Sequence, residues 1–443
     1  MASLNPTVRW LSLFRVALVV APFTLAFCLS PTALTAFGWE YVAPGGNPIE
    51  KVHPATYLAI ACLGIFVLMG KWKAIRTLMF GRDYLIYYFG CWLALLVYSG
   101  VFLAVPFMSL IDTWLMTGLF CVLVLMLSFS ERRLFAKFVD FIMFANTVAG
   151  IGEFLSNKRM VPLTQWSGVL GQWVYPHEWR STAFLGHPLT NSYLTGAYML
   201  TILLGLRIRS PVLRLCLLLL HTIGLFAFGS RGATAFLVVA IVIMIFVEIF
   251  RATQTGKIRR DILVITGLGI PSLALVIPAV LTSGVADKLI DRFMNDRGSA
   301  ETRSIAIDVI MSFPLSSLVL GSPSVLVNAI LGRFGLIAIE NFWLSFLLQF
   351  GIVGCCIFWP AIFVLCRSVV RHTTSLHAYI LIYFFACCTS SVSLASKNLS
   401  FAMMCVICLT SMRSMRAERV DASTTQPILP HRARLPGQVV VPA

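Results

Sequence analysis

Apolar runs of membrane-spanning length fill most of this chain, and very few folds can accommodate them. A helix needs about 20 apolar residues to cross roughly 30 Å of hydrocarbon. Measured this way, twelve runs are candidates: 10–30, 55–70, 84–104, 111–129, 138–155, 190–206, 213–229, 232–250, 262–283, 341–366, 376–395 and 399–412, the second and the last being short. Composition points the same way. Of 443 residues, 58% are hydrophobic and only 12% charged, where soluble domains carry roughly 25% charged residues. The expected fold is an all-α polytopic membrane protein with about twelve transmembrane helices.

Charge placement predicts how the runs alternate. Cytoplasmic connections collect Lys and Arg. Basic clusters recur at every second connection: Lys71/Lys73/Arg76/Arg82, Arg132/Arg133/Lys137, Arg207/Arg209/Arg214, Arg251/Lys257/Arg259/Arg260, Arg367/Arg371 and Arg413/Arg416/Arg419. All fall on one side if the twelve spans are real, which makes both termini cytoplasmic. The net charge of +16 is then topological information, and without a basic stripe or a known module it gives no reason to expect nucleic acid as a partner. The opposite face receives 31–54, 156–189, 229–231, 284–340 and 396–398. The longest of these, 284–340, is a polar gap in an otherwise apolar sequence.

Several chemistries find no support. The twelve cysteines lie inside or at the edge of the apolar runs. Cys405 and Cys408 have a CxxC spacing but no second ligand pair, so small apolar helix residues are the simpler reading. No HExxH, Walker or GxSxG pattern and no dense acidic cluster is present, which argues against a metalloprotease, an ATPase and a serine hydrolase. The first run reads as a retained span, because no small-residue cleavage site follows it.

Four polar islands on the outward face carry the residues able to do chemistry. The first runs from Glu178 to Asn191 and holds Arg180, His187 and Asn191 just before the sixth run, with Pro188 and Thr190 suited to starting a helix. The second, Phe228-Gly-Ser-Arg-Gly-Ala233, separates two apolar runs by almost nothing and puts Arg231 at the membrane boundary. A charge at that depth is costly and usually faces a polar cavity, although a snorkelling arginine is the plain alternative. The third, Asp291 to Arg303, contains Arg292 and Arg303 among nearby acids, and Ser304–Phe313 after it reads as an interfacial helix. The fourth starts at Glu340-Asn341, ahead of the tenth run. Glu340 there either favours the helix N-terminus electrostatically or accepts a proton from a hydroxyl.

In this order the islands resemble the O-antigen ligase and polymerase superfamily of bacterial inner-membrane proteins. Arg180-Ser-Thr-Ala-Phe-Leu-Gly-His-Pro-Leu-Thr-Asn191 is similar to the Arg and Gly-x-Pro-Asn-like segment of that family. Ser230-Arg231-Gly232 looks like its Ser-Arg-Gly hairpin. Arg303, Pro314-Leu315 and Gly321 are similar to its long periplasmic loop, and Glu340-Asn341-Phe-Trp-Leu344…Gly351-Ile-Val-Gly354 to its closing His-Asn-x-x-Leu…Gly-x-x-Gly. The likeness covers about 140–365. Glu340 stands where the ligases tend to have His, which favours a polymerase over a ligase that joins glycan to lipid A core.

The resemblance implies a GT-C-like, metal-independent glycosyltransferase of the inner membrane, without cofactor and with its site facing the periplasm. The donor would be a glycan on undecaprenyl diphosphate, and the acceptor a sugar hydroxyl on another lipid-linked repeat unit. A flippase and a chain-length regulator are the protein partners such a role calls for. The implied roles give Arg180 and Arg231 the diphosphate, with Arg303 and Arg292 assisting, make Glu340 the base, and have His187, Asn191 and Asn341 orient substrate. The expected organisation is N-terminal helices over 1–137, a core over 138–366 that includes the loop 284–340, C-terminal helices over 367–412 and a tail over 413–443 whose Thr, Pro and scattered Arg read as disordered. A transporter remains the alternative from another class; its usual cytoplasmic long loop and mid-span acids fit this chain less well.

Overall fold

The structure is a computed structural model that describes residues 6–42, 45–103, 108–161, 165–167, 172–174, 179–208, 210–256, 299–336, 338–391 and 393–411. Helices account for nearly all of its regular structure. In chain order they are α1 (Pro6–Cys28), α2 (Pro31–Ala36), α3 (Pro54–Phe66), α4 (Trp72–Phe80), α5 (Leu85–Tyr98), α6 (Met116–Met126), α7 (Phe129–Ser156), α8 (Pro188–Leu203), α9 (Pro211–Phe228) and α10 (Arg231–Thr255). After the gap come α11 (Ser299–Met311), α12 (Leu315–Leu320), α13 (Ser324–Arg333), α14 (Phe342–Arg371), α15 (Leu376–Cys388) and α16 (Ser400–Thr410). A two-stranded antiparallel hairpin, Gln165–Ser167 with Gln172–Val174, is the exception among the described residues.

Among the described residues, seven helical stretches are long and apolar enough to cross a membrane: Arg9–Cys28, Pro54–Phe80, Leu85–Leu103, Phe129–Ser156, Pro211–Phe228, Arg231–Thr255 and Phe342–Arg371. Four other expected spans are helical but shorter, and 262–283 lies outside the described residues. For three of them the shortness has a physical reason. Every residue of α16 is buried, and α6 and α8 are nearly so. Helices enclosed by other helices on all sides are not held to the thickness of a bilayer. The lipid-facing apolar surface belongs instead to the long helices, for instance Val239, Phe246 and Phe250 of α10.

Two boundaries differ from expectation. Gly70, with φ of 76°, carries the chain through a wide turn into α4, so Lys71, Lys73 and Arg76 lie on a continuation of the second span. Helix α7 begins at Phe129 under a Ser128–Glu131 capping box, which places Arg132, Arg133 and Lys137 in its first turns. The run 304–313, expected as an interfacial helix, is helical up to Met311 as the second part of α11.

Polar contacts sort helix ends into two groups. At one end Arg15 of α1 pairs with Glu131 of α7 at 2.6 Å, and Asp83 meets His372 at 2.9 Å. There Arg207 pairs with Asp140 at 2.6 Å and donates to Ile407 O and Ser411 Oγ, both at 3.0 Å. Arg214 donates to the carbonyls of Ile202 and Leu203, which tops the end of α8. Arg207 and Arg214, read from sequence as part of a topology signal, therefore also tie helix ends together. The opposite end gathers the described parts of the connections 29–54, 156–188, 229–231 and 389–399.

Candidate functional site at one end of the bundle

The loop 179–187 is gripped from below by buried groups of α7. Glu153 sits one turn before the end of α7 and accepts backbone N–H bonds from Met160 (2.7 Å), Thr182 (2.7 Å) and Ala183 (2.9 Å). Asn146 Oδ1 accepts from Phe184 N at 3.1 Å, and its Nδ2 donates to Asn191 Oδ1 at 2.7 Å. Asn191 in turn donates to the carbonyls of Thr182 and His187. Gly186, at φ of 66°, closes the loop against α2, since a Cβ there would lie 2.1 Å from Ser30 Oγ. Asn191 is fully buried with its amide committed inside the protein, so it fixes the loop.

This grip positions Arg180 and His187. The Arg180 carbonyl accepts from Arg159 Nε at 3.0 Å, and the Arg159 guanidinium lies 5.4 Å over the Trp179 ring. His187 takes the N-cap position of α8, with Pro188 as the first helical residue. Burial pushes the His187 imidazole down to about 4, and the neighbouring Arg180 charge pushes the same way. At neutral pH the His187 ring is therefore neutral.

Arg231 stands next to this loop. Ser181 N donates to Ala227 O at 3.3 Å, which lays the chain after Arg180 along the last turn of α9. Gly229 then turns the backbone at φ of 65°, Ser230 Oγ caps α10 by accepting from Ala233 N at 3.2 Å, and Arg231 opens that helix. Gly232 abuts the Ser390 side chain, and Tyr383 donates to Ala233 O at 3.3 Å. The N-termini of α8 and α10 thus lie at one end of the bundle, each with an arginine at or near it.

A third group joins this cluster to α14. Asp112 is fully buried and accepts from Tyr41 Oη (2.7 Å), His53 N (3.0 Å) and Thr56 Oγ1 (2.8 Å). Its neighbour Thr113 donates to Ser396 O at 2.7 Å, and Asn398 Nδ2 reaches Thr190 Oγ1 at 3.3 Å. Lys397 donates to Tyr41 O (2.6 Å) and Lys51 O (2.8 Å), with its ammonium 4.5 Å over the Tyr41 ring. Burial pushes the Lys397 amine down to about 8; the Lys51 charge adds to this and the Asp112 charge opposes it. Trp114 then packs on Phe342, the first residue of α14, with ring centroids 6.1 Å apart.

Asn341 caps α14 by accepting from Leu344 N at 3.1 Å. Glu340 precedes it and is exposed, and among the described residues no hydrogen bond or ion pair involves its carboxylate. Arg303 belongs to α11, with its side chain outside the described set, and Arg292 lies outside the described residues altogether. The structure therefore brings Arg180, His187, Asn191 and Arg231 together. It links Asn341 to them through the 389–399 connection, and it shows no bond from Glu340 to either arginine.

Sequence reading passes over Asn146, Glu153 and Asp112 as site-building groups because they fall within apolar runs. Their signal was present all the same, since an acid or amide inside a span needs internal partners. Lys51 and Lys397 are legible in the sequence only as basic residues in the connections 31–54 and 396–398, opposite the basic clusters. No model of a known protein family matches the chain, and no curated protein matches it.

Proposed function

We propose that this protein is a polymerase of lipid-diphosphate-linked oligosaccharide repeat units in a bacterial inner membrane, working on the periplasmic side. The Ser181–Ala227 hydrogen bond supports this reading most, because it sets the Arg180 loop beside the Ser230-Arg231 hairpin. Two guanidiniums near two helix N-termini suit the oxygens of a diphosphate, which they grip through paired hydrogen bonds.

The reaction follows from that placement. Arg180 and Arg231 hold the diphosphate of the donor, with Arg303 assisting. An acceptor sugar hydroxyl attacks the anomeric carbon of the donor glycan. The carbon–oxygen bond to the phosphate breaks, its electron pair leaves on the lipid diphosphate, and the two arginines stabilise the charge. The hydroxyl proton passes to the Glu340 carboxylate, which its exposure leaves open to an incoming acceptor. The neutral His187 ring beside Arg180 leaves the cationic work to the guanidinium. Asn191 and Asn341 shape the two edges through their backbone bonds.

Glycan gel profiles of a deletion strain test the reading, with complementation by wild type, Arg231→Ala or Glu340→Gln at matched protein level. Loss or shortening of polymer in both variants is expected. Wild-type chain lengths from both would remove the site assignment. Wild-type length polymer that accumulates without reaching lipid A core would point to the ligase instead.

A further inference from the structure

Helix α12 and its flanks lie in the segment 284–340, which sequence alone reads as external. Their depth can be read from α5. Asp83, just ahead of α5, pairs with His372 at the end of α14, which marks one boundary of the apolar layer. The apolar run Leu85–Leu103 has 19 residues, about 28 Å at 1.5 Å per residue and close to the thickness of a hydrocarbon core. Tyr98 stands five residues short of the far end of that run, or about 7 Å inside it. Its hydroxyl donates to Leu320 O at 2.5 Å. The end of α12 therefore sits level with the interior of the run.

Helix α14 gives the same level. Ser322 N donates to Leu348 O at 2.9 Å, seven residues beyond the Asn341 cap. Gly321 (φ 90°) and Gly351 (φ 66°) press backbone on backbone, since a Cβ on Gly351 would lie 2.3 Å from Gly321 N. Non-helical backbone survives at membrane depth only where its polar groups find protein partners. Leu320 O, Gly321 N and Ser322 N each have one. Apart from the exposed Ser316, the outward surface is apolar: Leu315 is 75% exposed and Leu320 53%, and Phe102, at 72% on the end of the α5 run, lines the same groove as Leu320. Between the two surfaces lies a groove of about 470 Å³ walled by Tyr98, Phe102, Leu103, Ser317, Leu320 and Gly321.

We infer that Pro314–Pro323 is a re-entrant segment seated in a bilayer leaflet against α5 and α14, and that the groove beside it holds an acyl chain of a bilayer phospholipid. The inference rests on the membrane-spanning character of α5 and α14, and it stands whether or not the protein is a polymerase.

Depth-resolved quenching of the full-length protein in nanodiscs tests it. A coumarin-bearing residue is placed in turn at Leu320, Leu315 and Ile49, the last being an exposed apolar position in the 31–54 connection. Phospholipids brominated on the acyl chains should quench positions 320 and 315 strongly and leave 49 bright, while iodide should do the reverse. Iodide quenching at 320 and 315 equal to that at 49, without an effect of brominated chains, would overturn the re-entrant placement. Quenching by brominated lipid at 315 but not at 320 would overturn the groove occupant. Position 315 touches little and serves if the protein labelled at 320 fails to fold.

Discussion

The loop 179–191 and the segment 314–341 border the same end of the bundle, yet they are held in opposite ways. The first is fixed by polar groups rising from α7. Glu153 collects three N–H donors, and Asn146 and Asn191 lock the rest. The second rests mainly on a small apolar cluster of its own, with Val309, Phe313, Ile330, Leu331, Leu336 and Ile339 around Leu348, and on glycine-to-backbone contact, with the Tyr98–Leu320 and Ser322–Leu348 hydrogen bonds at its start. Directional hydrogen bonds from a buried carboxylate specify position closely, whereas apolar packing on short helices tolerates displacement. On the proposed function, the contrast suits a fixed edge at Arg180 for the diphosphate and a yielding edge that brings Glu340 to a substrate of variable size.

The largest effect should come from the fixed edge. Glu153→Leu leaves three backbone donors without their acceptor, and orphaned buried donors cost about 1–3 kcal/mol each. The variant should melt far below wild type in detergent and make no polymer; a melting curve like wild type would show that the grip is not structural. Next comes the yielding edge. Gly351→Ala sets a Cβ 2.3 Å from Gly321 N at φ of 66°, a strain of about 1–3 kcal/mol. A moderate loss of stability is expected, with shorter polymer because Glu340 moves with the start of α14.

A smaller effect is pH-linked. His187 is held near 4 when folded, against 6.5 ordinarily. The unfolded chain therefore binds more protons between these values, and stability rises with pH through that window. The contribution is fully present above 6.5 and is lost as pH falls toward 4. Melting temperatures between pH 4 and 7 should show this slope in wild type, and a flatter one in His187→Asn. The smallest stability effect belongs to Glu340→Gln. The residue is exposed without a partner among the described residues, so a change within about 0.5 kcal/mol is expected, while polymer length falls. A stability loss as large as that of Glu153→Leu would erase the contrast between the two edges.

Much of the scaffold was legible in the sequence because hydrocarbon thickness imposes a length on helices. Leu85–Leu103 and Arg231–Thr255 start within a residue of their apolar runs. The Pro188 helix start and the Ser230-Arg231 hairpin were also readable, since proline and glycine act locally. The groups that build the site were not. Glu153 and Asn146 sit inside an apolar window, and only tertiary structure shows which backbone donors they serve. The 389–399 connection was hidden because Ser390-Ser-Val-Ser-Leu394 continues an apolar trend, although α15 ends at Cys388. Helix α12 has six residues, too few to suggest a membrane-level segment without its contacts to Tyr98 and Leu348.

Reconstitution with a defined donor tests the central claim most directly. Purified protein in nanodiscs is supplied with a single lipid-diphosphate-linked repeat unit, and the products are resolved by gel. Wild type should yield a ladder of polymer with release of lipid diphosphate, and a folded Arg180→Ala/Arg231→Ala double variant should leave the repeat unit unchanged. An undiminished ladder from the double variant, or a wild-type protein that joins no repeat units, would contradict the account.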